Sequence, residues 1–101
     1  MPNIVVGNIA GAPSITINGR FDFSAHKEFR AACEQVMKMP GSSLELDMGN
    51  VKFIDSSALG MLLLLKDQAD GDGRAVILTN TPAAVRSILE VANFHKLLTI
   101  R

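Results

Sequence analysis

The chain has 101 residues, of which 48% are hydrophobic and 20% are charged, a composition typical of one ordinary globular domain. Ten Lys and Arg residues balance ten Asp and Glu residues, so the net charge gives no electrostatic basis for binding nucleic acid or an anionic membrane surface. Cys33 is the only cysteine, which excludes an intramolecular disulfide and suits the reducing cytoplasm.

The sequence shows no segment typical of secretion or of a membrane span. Its start, MPNIVVGNIAGAPS, lacks the basic region and the long apolar region of a secretory signal. Its longest apolar run extends from Ala58 to Leu65, far short of the roughly 20 residues that a membrane-spanning helix needs. We therefore expect a soluble, cytoplasmic protein.

Two short strands are predicted first, at residues Ile4–Ile9 and Ser14–Asn18. In the second strand, apolar and polar residues alternate, as they do in a half-buried strand. The turn residues Gly11-Ala12-Pro13 favour an antiparallel hairpin between the two strands. Asn18-Gly19 is interpreted as the end of the second strand, because no strand-like run follows it closely.

An amphipathic helix is predicted next, from Ser24 as its N-cap to about Met37. Pro40-Gly41 ends this helix. A strand is predicted at Leu44–Met48, where apolar and polar residues alternate, and Gly49 to Ile54 is interpreted as a short connection after it.

A strongly apolar helix is predicted from about Ser56 to Ala69. Its apolar residues cover most of its circumference, which predicts that it packs between a sheet and other elements. The continuous apolar run at Ala75–Thr79 is typical of a strand buried on both faces of a parallel sheet. Pro82 predicts the first residue of a third helix that extends to about Ala92, and the final LLTIR predicts a short closing strand.

The predicted order of elements is β-β-α-β-α-β-α-β. It indicates an α/β fold, with a small mixed sheet that begins with an N-terminal hairpin and is packed by three or four helices. The residues expected to share one core are Phe29, Val36, Leu46, Leu59, Leu63 and Val76.

The usual signatures of enzymes and of metal or nucleotide sites are absent from the sequence. His26 and His95 have neither a Cys partner nor a carboxylate at ligand-like spacing, and both are interpreted as solvent-facing helix residues. The early strands are not followed by GxGxxG, and neither GxxxxGK[ST] nor GxSxG occurs. We therefore expect no catalysis, metal or cofactor, and a small α/β enzyme with an unrecognised site is only a weak alternative.

One segment carries informative chemistry, Asp55-Ser56-Ser57, directly before the apolar helix. In its structural interpretation, Asp55 or Ser56 caps the helix by accepting an unpaired backbone N–H, which adds about 1 kcal/mol of stability. Three consecutive polar residues exceed what one cap needs, and they lie at a strand-to-helix junction, where α/β folds place their sites. A phosphate on a serine there would meet free N–H groups and the positive end of the helix dipole. Its charge of about −1.5 to −2 would change how the surface meets a partner.

The stretch LELDMGNVKFIDSSALGMLLLLK resembles the hallmark of anti-sigma-factor antagonists, the STAS family. In that family a hydrophobic strand and a short connection precede D-S-S-[GA]-L-G, which begins an apolar helix. GRFDFSA at Gly19–Ala25 is similar to the family's G-x-[LF]-D segment, and AVILTNTPAAVRSILEVANFHKLLTI resembles its late strand, helix and closing strand. Ala58 stands where members often have Gly, a small change that suits a helix. The resemblance implies one STAS domain over residues 1–101.

The resemblance also implies a bacterial, non-enzymatic switch in transcription regulation. Unphosphorylated members sequester an anti-sigma factor that is also a serine kinase, and so free a sigma factor. The kinase phosphorylates the first serine after the motif aspartate, here Ser56, and a PP2C-type phosphatase reverses this; ATP and Mg²⁺ belong to the kinase. Asp22 matches a family aspartate near that serine, and Asp55 and Ser57 flank it, so these three are the candidate partner-binding residues. A turn or cap residue is an equally good interpretation of Asp22.

Two further functions are compatible with the same residues. The chain could be a STAS subunit of a lipid or solute transporter complex, in which the fold braces an ATPase or permease and the serine need not be modified. It could also serve a regulatory partner other than a sigma-controlling one, such as a diguanylate cyclase or another response regulator. The oligomeric state stays open at this point, because an apolar edge strand is compatible with a paired or a bare edge.

Overall fold

The N-terminal hairpin consists of strands β1 (Ile4–Ile9) and β2 (Ala12–Phe21). The structure, a computed structural model, describes residues 3–101. Ala10 and Gly11 form the hairpin turn, both with positive φ, at 50° and 89°, the conformation that a two-residue hairpin turn favours. The turn predicted at Gly11-Ala12-Pro13 is therefore placed too late, because Ala12 already belongs to β2.

The five strands form one mixed sheet in the order β1-β2-β3-β4-β5. Strand β1 is antiparallel to β2, and all later neighbours are parallel. The elements after the hairpin are a 3₁₀ helix at Phe23–Ala25, α1 (His26–Met37), β3 (Ser43–Ile54), α2 (Ser56–Gly71), β4 (Ala75–Thr79), α3 (Ala83–Val91), a 3₁₀ helix at Phe94–Lys96 and β5 (Thr99–Ile100). The predicted α/β class, mixed sheet and hairpin are confirmed, although Pro82 is the N-cap of α3 rather than its first residue.

Strands β2 and β3 are longer than predicted. Strand β2 continues past Asn18-Gly19 to Phe21, and β3 continues through the supposed connection to Ile54. The two strands remain paired as far as Phe21 opposite Ile54, with register shifts on either side of Asn18-Gly19. A β-bulge leaves its extra residue unpaired and bends the strand locally, and here the pairing resumes after each shift.

The helices cover one face of the sheet. Each connection from β2 to β5 moves one strand in the same direction, so the usual right-handed crossovers place α1, α2 and α3 on the same side. Burial alternates accordingly in β4, where Val76 and Leu78 are buried whereas Ala75 is exposed and Ile77 is half-buried. The prediction that β4 is buried on both faces is wrong, because the described residues form no layer over the second face.

The core lies between the sheet and the helices. The predicted core residues that are buried are Phe29, Val36, Leu46 and Val76, and Leu59 is partly buried against them. Leu63 is 37% exposed, so its prediction as a core residue is wrong, and the preceding Leu62 is fully buried instead. Helix α2 packs on the sheet with one face and exposes Leu63 and Leu64 on the opposite side. The prediction that α2 packs between the sheet and other elements on most of its sides is therefore wrong. Within residues 3–101, the structure contains no helix of the length and apolarity needed to cross a membrane.

Candidate functional site

Strands β2 and β3 end side by side, and the two predicted partner-binding aspartates follow directly. Phe21 pairs with Ile54 at the carboxyl ends of these parallel strands, so Asp22 and Asp55 come next on neighbouring strands. Asp22 precedes the first 3₁₀ helix and Asp55 precedes α2. This end of the strands is where open α/β sheets place their binding sites.

Asp55 is the N-cap of α2. Its backbone is extended (φ −123°, ψ −176°), and its Oδ1 accepts a hydrogen bond from the backbone N–H of Ala58 at 3.0 Å. Ser56, the first residue of the helix, is exposed, and Ser57 is half-buried. Because Asp55 supplies the capping oxygen, the hydroxyl of Ser56 is not needed to hold the start of the helix.

Asp22 is held in place by hydrogen bonds from Ser24 and Arg20. The backbone N–H of Ser24 donates to Oδ1 at 3.0 Å, the Ser24 hydroxyl donates to the same oxygen, and Arg20 Nε donates to Oδ2 at 3.2 Å. The hydroxyl of Ser24 is the largest cause that lowers the pKa of the Asp22 carboxyl below its usual 3.8, and Arg20 lowers it further. Asp22 is therefore the cap of this segment, and the prediction of Ser24 as the N-cap is wrong because a 3₁₀ turn precedes α1.

Exposed aromatic side chains lie near the same strand ends. Arg20 and Phe53 are opposite each other on β2 and β3, and the guanidinium lies 4.3 Å from the ring centroid, a cation–π contact. Phe53 is still 40% exposed, and Phe23 is 69% exposed. The sequence pattern does not indicate these residues, because it predicts a connection at Phe53 and only the register of β2 against β3 brings Arg20 to it.

One exposed stripe of α2 begins at Ser56. Its members are Ser56, Gly60, Leu63, Leu64 and Asp67, all exposed. Positions three, four and seven residues apart share a helix face. The stripe carries no charge from Ser56 to Leu64, and Leu64 is 62% exposed. Leu63 and Leu64 give this stripe an exposed apolar part, which is a candidate contact surface for another protein.

Metal-ligating side chains do not cluster within residues 3–101. Within the described part of the chain, no three His, Cys, Asp or Glu side chains are grouped to hold a metal ion. His26 is half-buried on α1 with its ring stacked on Phe23, and His95 is exposed in the second 3₁₀ helix. Burial raises the pKa of the Cys33 thiol to about 12, so this thiol is not a nucleophile at neutral pH. The distinctive chemical feature of this site is that the backbone N–H groups and the dipole at the start of α2 favour a negatively charged group.

A family model described as "Mlab, STAS domain" matches residues 7–99. The chain belongs to the STAS-domain family. A STAS-domain containing protein of Pseudomonas aeruginosa (strain UCBPP-PA14) is 47% identical over 87 residues, which cover 86% of this chain and 85% of that protein. The resemblance inferred from the DSSALG segment is thereby confirmed.

Solved structures share the STAS fold at much lower sequence identity. An anti-sigma-factor antagonist (STAS) domain protein from Planctomyces limnophilus has a TM-score of 0.84 at 16% identity, over 96% of this chain and 87% of that one. The Bacillus cell fate determinant SpoIIAA in its phosphorylated form has a TM-score of 0.73 at 16% identity, over 97% and 90% of the two chains. A sulfate transporter family protein from Wolinella succinogenes has a TM-score of 0.77 at 20% identity, over 89% and 73%. At these identities the likeness concerns the fold alone.

Proposed function

We propose that this STAS domain is a protein-binding switch controlled by phosphorylation of Ser56. Unphosphorylated, it sequesters an anti-sigma factor that is also a serine kinase, and so frees a sigma factor. Phosphorylation of Ser56 releases the kinase, and a PP2C-type phosphatase restores binding. The chain itself performs no catalysis, and ATP and Mg²⁺ are supplied with the kinase.

This proposal is supported by the different positions of Asp55 and Ser56 at the start of α2. Asp55 caps the helix through its bond to Ala58, while Ser56 is exposed at the end of an uncharged stripe. A kinase can therefore reach the Ser56 hydroxyl without dismantling the cap. The phosphate added there is stabilised locally by the free N–H groups and the dipole of α2.

The same position makes a phosphate disruptive to a bound partner. It adds a charge of about −1.5 to −2 beside Asp55 and near the strand end that carries Asp22. The pKa of the Asp22 carboxyl lies below its usual 3.8, so this group is also negative at neutral pH. A partner packed on the apolar stripe would have to bury this charge. Burying a charge that finds no counter-ion costs several kcal/mol, which is enough to end the complex.

The modification is tested by intact mass and phosphopeptide mapping after incubation with the host's candidate serine kinase, ATP and Mg²⁺. We expect the unmodified chain to gain one phosphate on Ser56, and Ser56→Ala to gain none while keeping its melting temperature. Ser57→Ala is the matched control and should still be phosphorylated. A phosphate on Ser57, or none with the cognate kinase, contradicts the assignment.

The effect on binding is tested by calorimetry with the same kinase. Ser56→Glu should weaken binding at least about tenfold, which corresponds to about 1.4 kcal/mol, because it places a charge in the contact. Ser56→Ala should bind as the parent chain does. If Ser56→Glu and Ser56→Ala bind the kinase with equal affinity, Ser56 does not lie in the surface that contacts it.

A second candidate is a STAS subunit of a solute or lipid transporter complex, because a sulfate transporter family protein has the same fold. In that case the chain would co-purify with an ATPase or permease, and its serine would stay unmodified. Neighbouring genes discriminate directly between the two functions. A serine kinase or phosphatase gene supports the switch, and a permease gene with an ATPase gene supports the transporter.

A further inference from the structure

Within residues 3–101, strand β1 forms an edge of the sheet on which no further strand lies. It is six residues long, it pairs with β2 in continuous register, and it lies at the end of the strand order. Proteins usually protect such an edge with a charged side chain, a proline, a bulge or a very short strand. Ile4–Ile9 contains none of these, and the first charged side chain of the whole sequence is Arg20.

One hydrogen bond defines which backbone groups of β1 point outward. The backbone N–H of Asn18 donates to the carbonyl of Asn3 at 2.7 Å, so these residues are a hydrogen-bonded pair of the antiparallel ladder. Bonded and non-bonded pairs alternate along such a ladder. Every second residue of β1, beginning with Ile4, therefore directs its N–H and C=O away from β2.

The outward residues are thus Ile4, Val6 and Asn8, and the alternation has independent support. Asn8 lies opposite Pro13. Because proline has no N–H to donate, Asn8 and Pro13 fit the position of a pair that exchanges no hydrogen bonds. The free edge accordingly presents three N–H and three C=O groups at regular spacing. These groups form the hydrogen-bonding pattern of half an antiparallel ladder.

We propose that this edge binds β1 of a second copy of the chain, antiparallel, around a twofold axis at Val6. Val6 then faces the second copy's Val6, and Ile4 faces the second copy's Asn8. All three outward residues exchange both of their hydrogen bonds in this register. The contact is isologous and closed, and it joins the two sheets into one.

The side chains of β1 suit this register. On the open face of the sheet, Val5 is 45% exposed, and it lies opposite the second copy's Gly7, which has no side chain to oppose it. Like charges do not face each other across the axis, because residues 1–19 carry no charged side chain. Ser56 follows β3, two strands away from this edge, so the dimer leaves the proposed switch accessible.

The pairing is tested by sedimentation velocity of the full chain over a range of concentrations. We expect the mass to rise from 10.8 kDa toward twice that value. Val5→Lys places like charges diagonally across the axis, and Val6→Pro removes an outward N–H without removing a bond to β2. Both variants should remain at the monomer mass at the concentrations where the parent chain is a dimer.

Val91→Lys is the matched control for Val5→Lys. It makes the same change at an 86% exposed residue of α3 and should dimerise as the parent chain does. If Val6→Pro does not fold, as judged by circular dichroism, Val5→Lys decides the question. A parent chain that stays monomeric at about 1 mM, near the weak limit of specific binding, overturns the proposal. A dimer lost in Val91→Lys but kept in Val5→Lys overturns it as well.

Amide hydrogen exchange supplies a test that also checks the register. The N–H groups of Ile4, Val6 and Asn8 should become protected as the concentration rises, and those of Val5 and Gly7 should be protected throughout. Protection that rises equally at all five positions, or at none, contradicts the proposed pairing.

Discussion

The two aspartates at the strand ends each hold a local turn in place. Asp55 accepts the N–H of Ala58 at the start of α2, and Asp22 accepts the N–H of Ser24 at the start of the 3₁₀ helix. Substituting either one therefore disturbs the surface on which a partner would bind. Ser56 supplies no cap, so it is the residue at which modification can be tested separately from structure.

The hydroxyl of Ser24 determines how acidic Asp22 is. We expect the Asp22 carboxyl to titrate below 3.8, and Ser24→Ala to raise its pKa toward that value, because the Ser24 side chain is the largest cause of the shift. Since the pKa of Asp22 is lower in the folded than in the unfolded chain, its carboxylate stabilises the fold at pH values above the unfolded pKa. The stabilisation is lost as the pH falls through the folded pKa. The pKa of Asp22 is measured from its carboxyl ¹³C chemical shift as a function of pH. The control Ser87→Ala, at an exposed serine of α3, should leave this pKa unchanged. An unchanged pKa in Ser24→Ala would contradict the assignment.

At the scale of elements, α2 combines a buried and an exposed apolar face. Its buried residues are Ala58, Met61, Leu62, Leu65 and Ala69. Neighbouring leucines therefore differ completely in environment, with Leu62 fully buried and Leu64 62% exposed. The buried face holds the helix on the sheet, and the exposed face is the surface available to a partner.

This difference predicts opposite results for the same substitution. Leu62→Ala should lower the free energy of unfolding by about 2–5 kcal/mol, because it removes buried methyl groups and leaves a cavity. Leu64→Ala should change it by no more than about 0.5 kcal/mol. Urea denaturation of both variants measures the difference, and similar losses would show that the two faces of α2 are assigned wrongly.

At the scale of the whole molecule, the domain presents two separate surfaces. The helices lie on one face of the sheet, and the end of β3 that leads into α2 carries Ser56. The β1 edge belongs to the uncharged hairpin at the side of the sheet. The proposed contacts at Ser56 and at β1 therefore involve different residues.

Gly60 links the stability of the domain to the proposed partner surface. Apart from its chain neighbours and the backbone of the adjacent helix turns, no atom of the described residues lies within 4 Å of the position that its Cβ would take, so packing against other elements does not require a glycine there. Gly60→Ala should therefore stabilise the helix by about 0.5–1 kcal/mol. If the partner's backbone approaches this stripe closely, the added methyl group should also weaken binding about tenfold.

Gly71→Ala is the control for this prediction. Gly71 belongs to the same helix and its Cβ position is also open, but it lies at the end remote from Ser56. It should leave the affinity for the kinase unchanged. Thermal melts and calorimetry on both variants measure the two effects, and equal affinities of the Gly60 and Gly71 variants would place the contact elsewhere.

The order of the elements, several of their bounds and the family follow from local sequence patterns. Residues Ile4–Ile9 and Ala75–Thr79 are strands with the predicted limits, and α2 begins at Ser56 as predicted. Those features depend on local properties, namely strand propensity, hydrophobic runs and a capping residue before a helix. The DSSALG segment was informative for the same reason, because cap, serine and helix start are contiguous in the chain.

The ends of β2 and β3 and the buried face of α2 depend instead on contacts between elements. Asn18-Gly19 and Gly49-Asn50 have weak strand propensity, and they are strand residues because the opposite strand pairs with them. Leu62, Leu63 and Leu64 are adjacent in a helix that is apolar on most sides, so periodicity could not tell them apart. The sheet makes that choice, and the same cross-strand pairing brings Arg20 onto Phe53. Contacts between residues distant in sequence leave little local trace in the sequence, which is why these features had to be read from the fold.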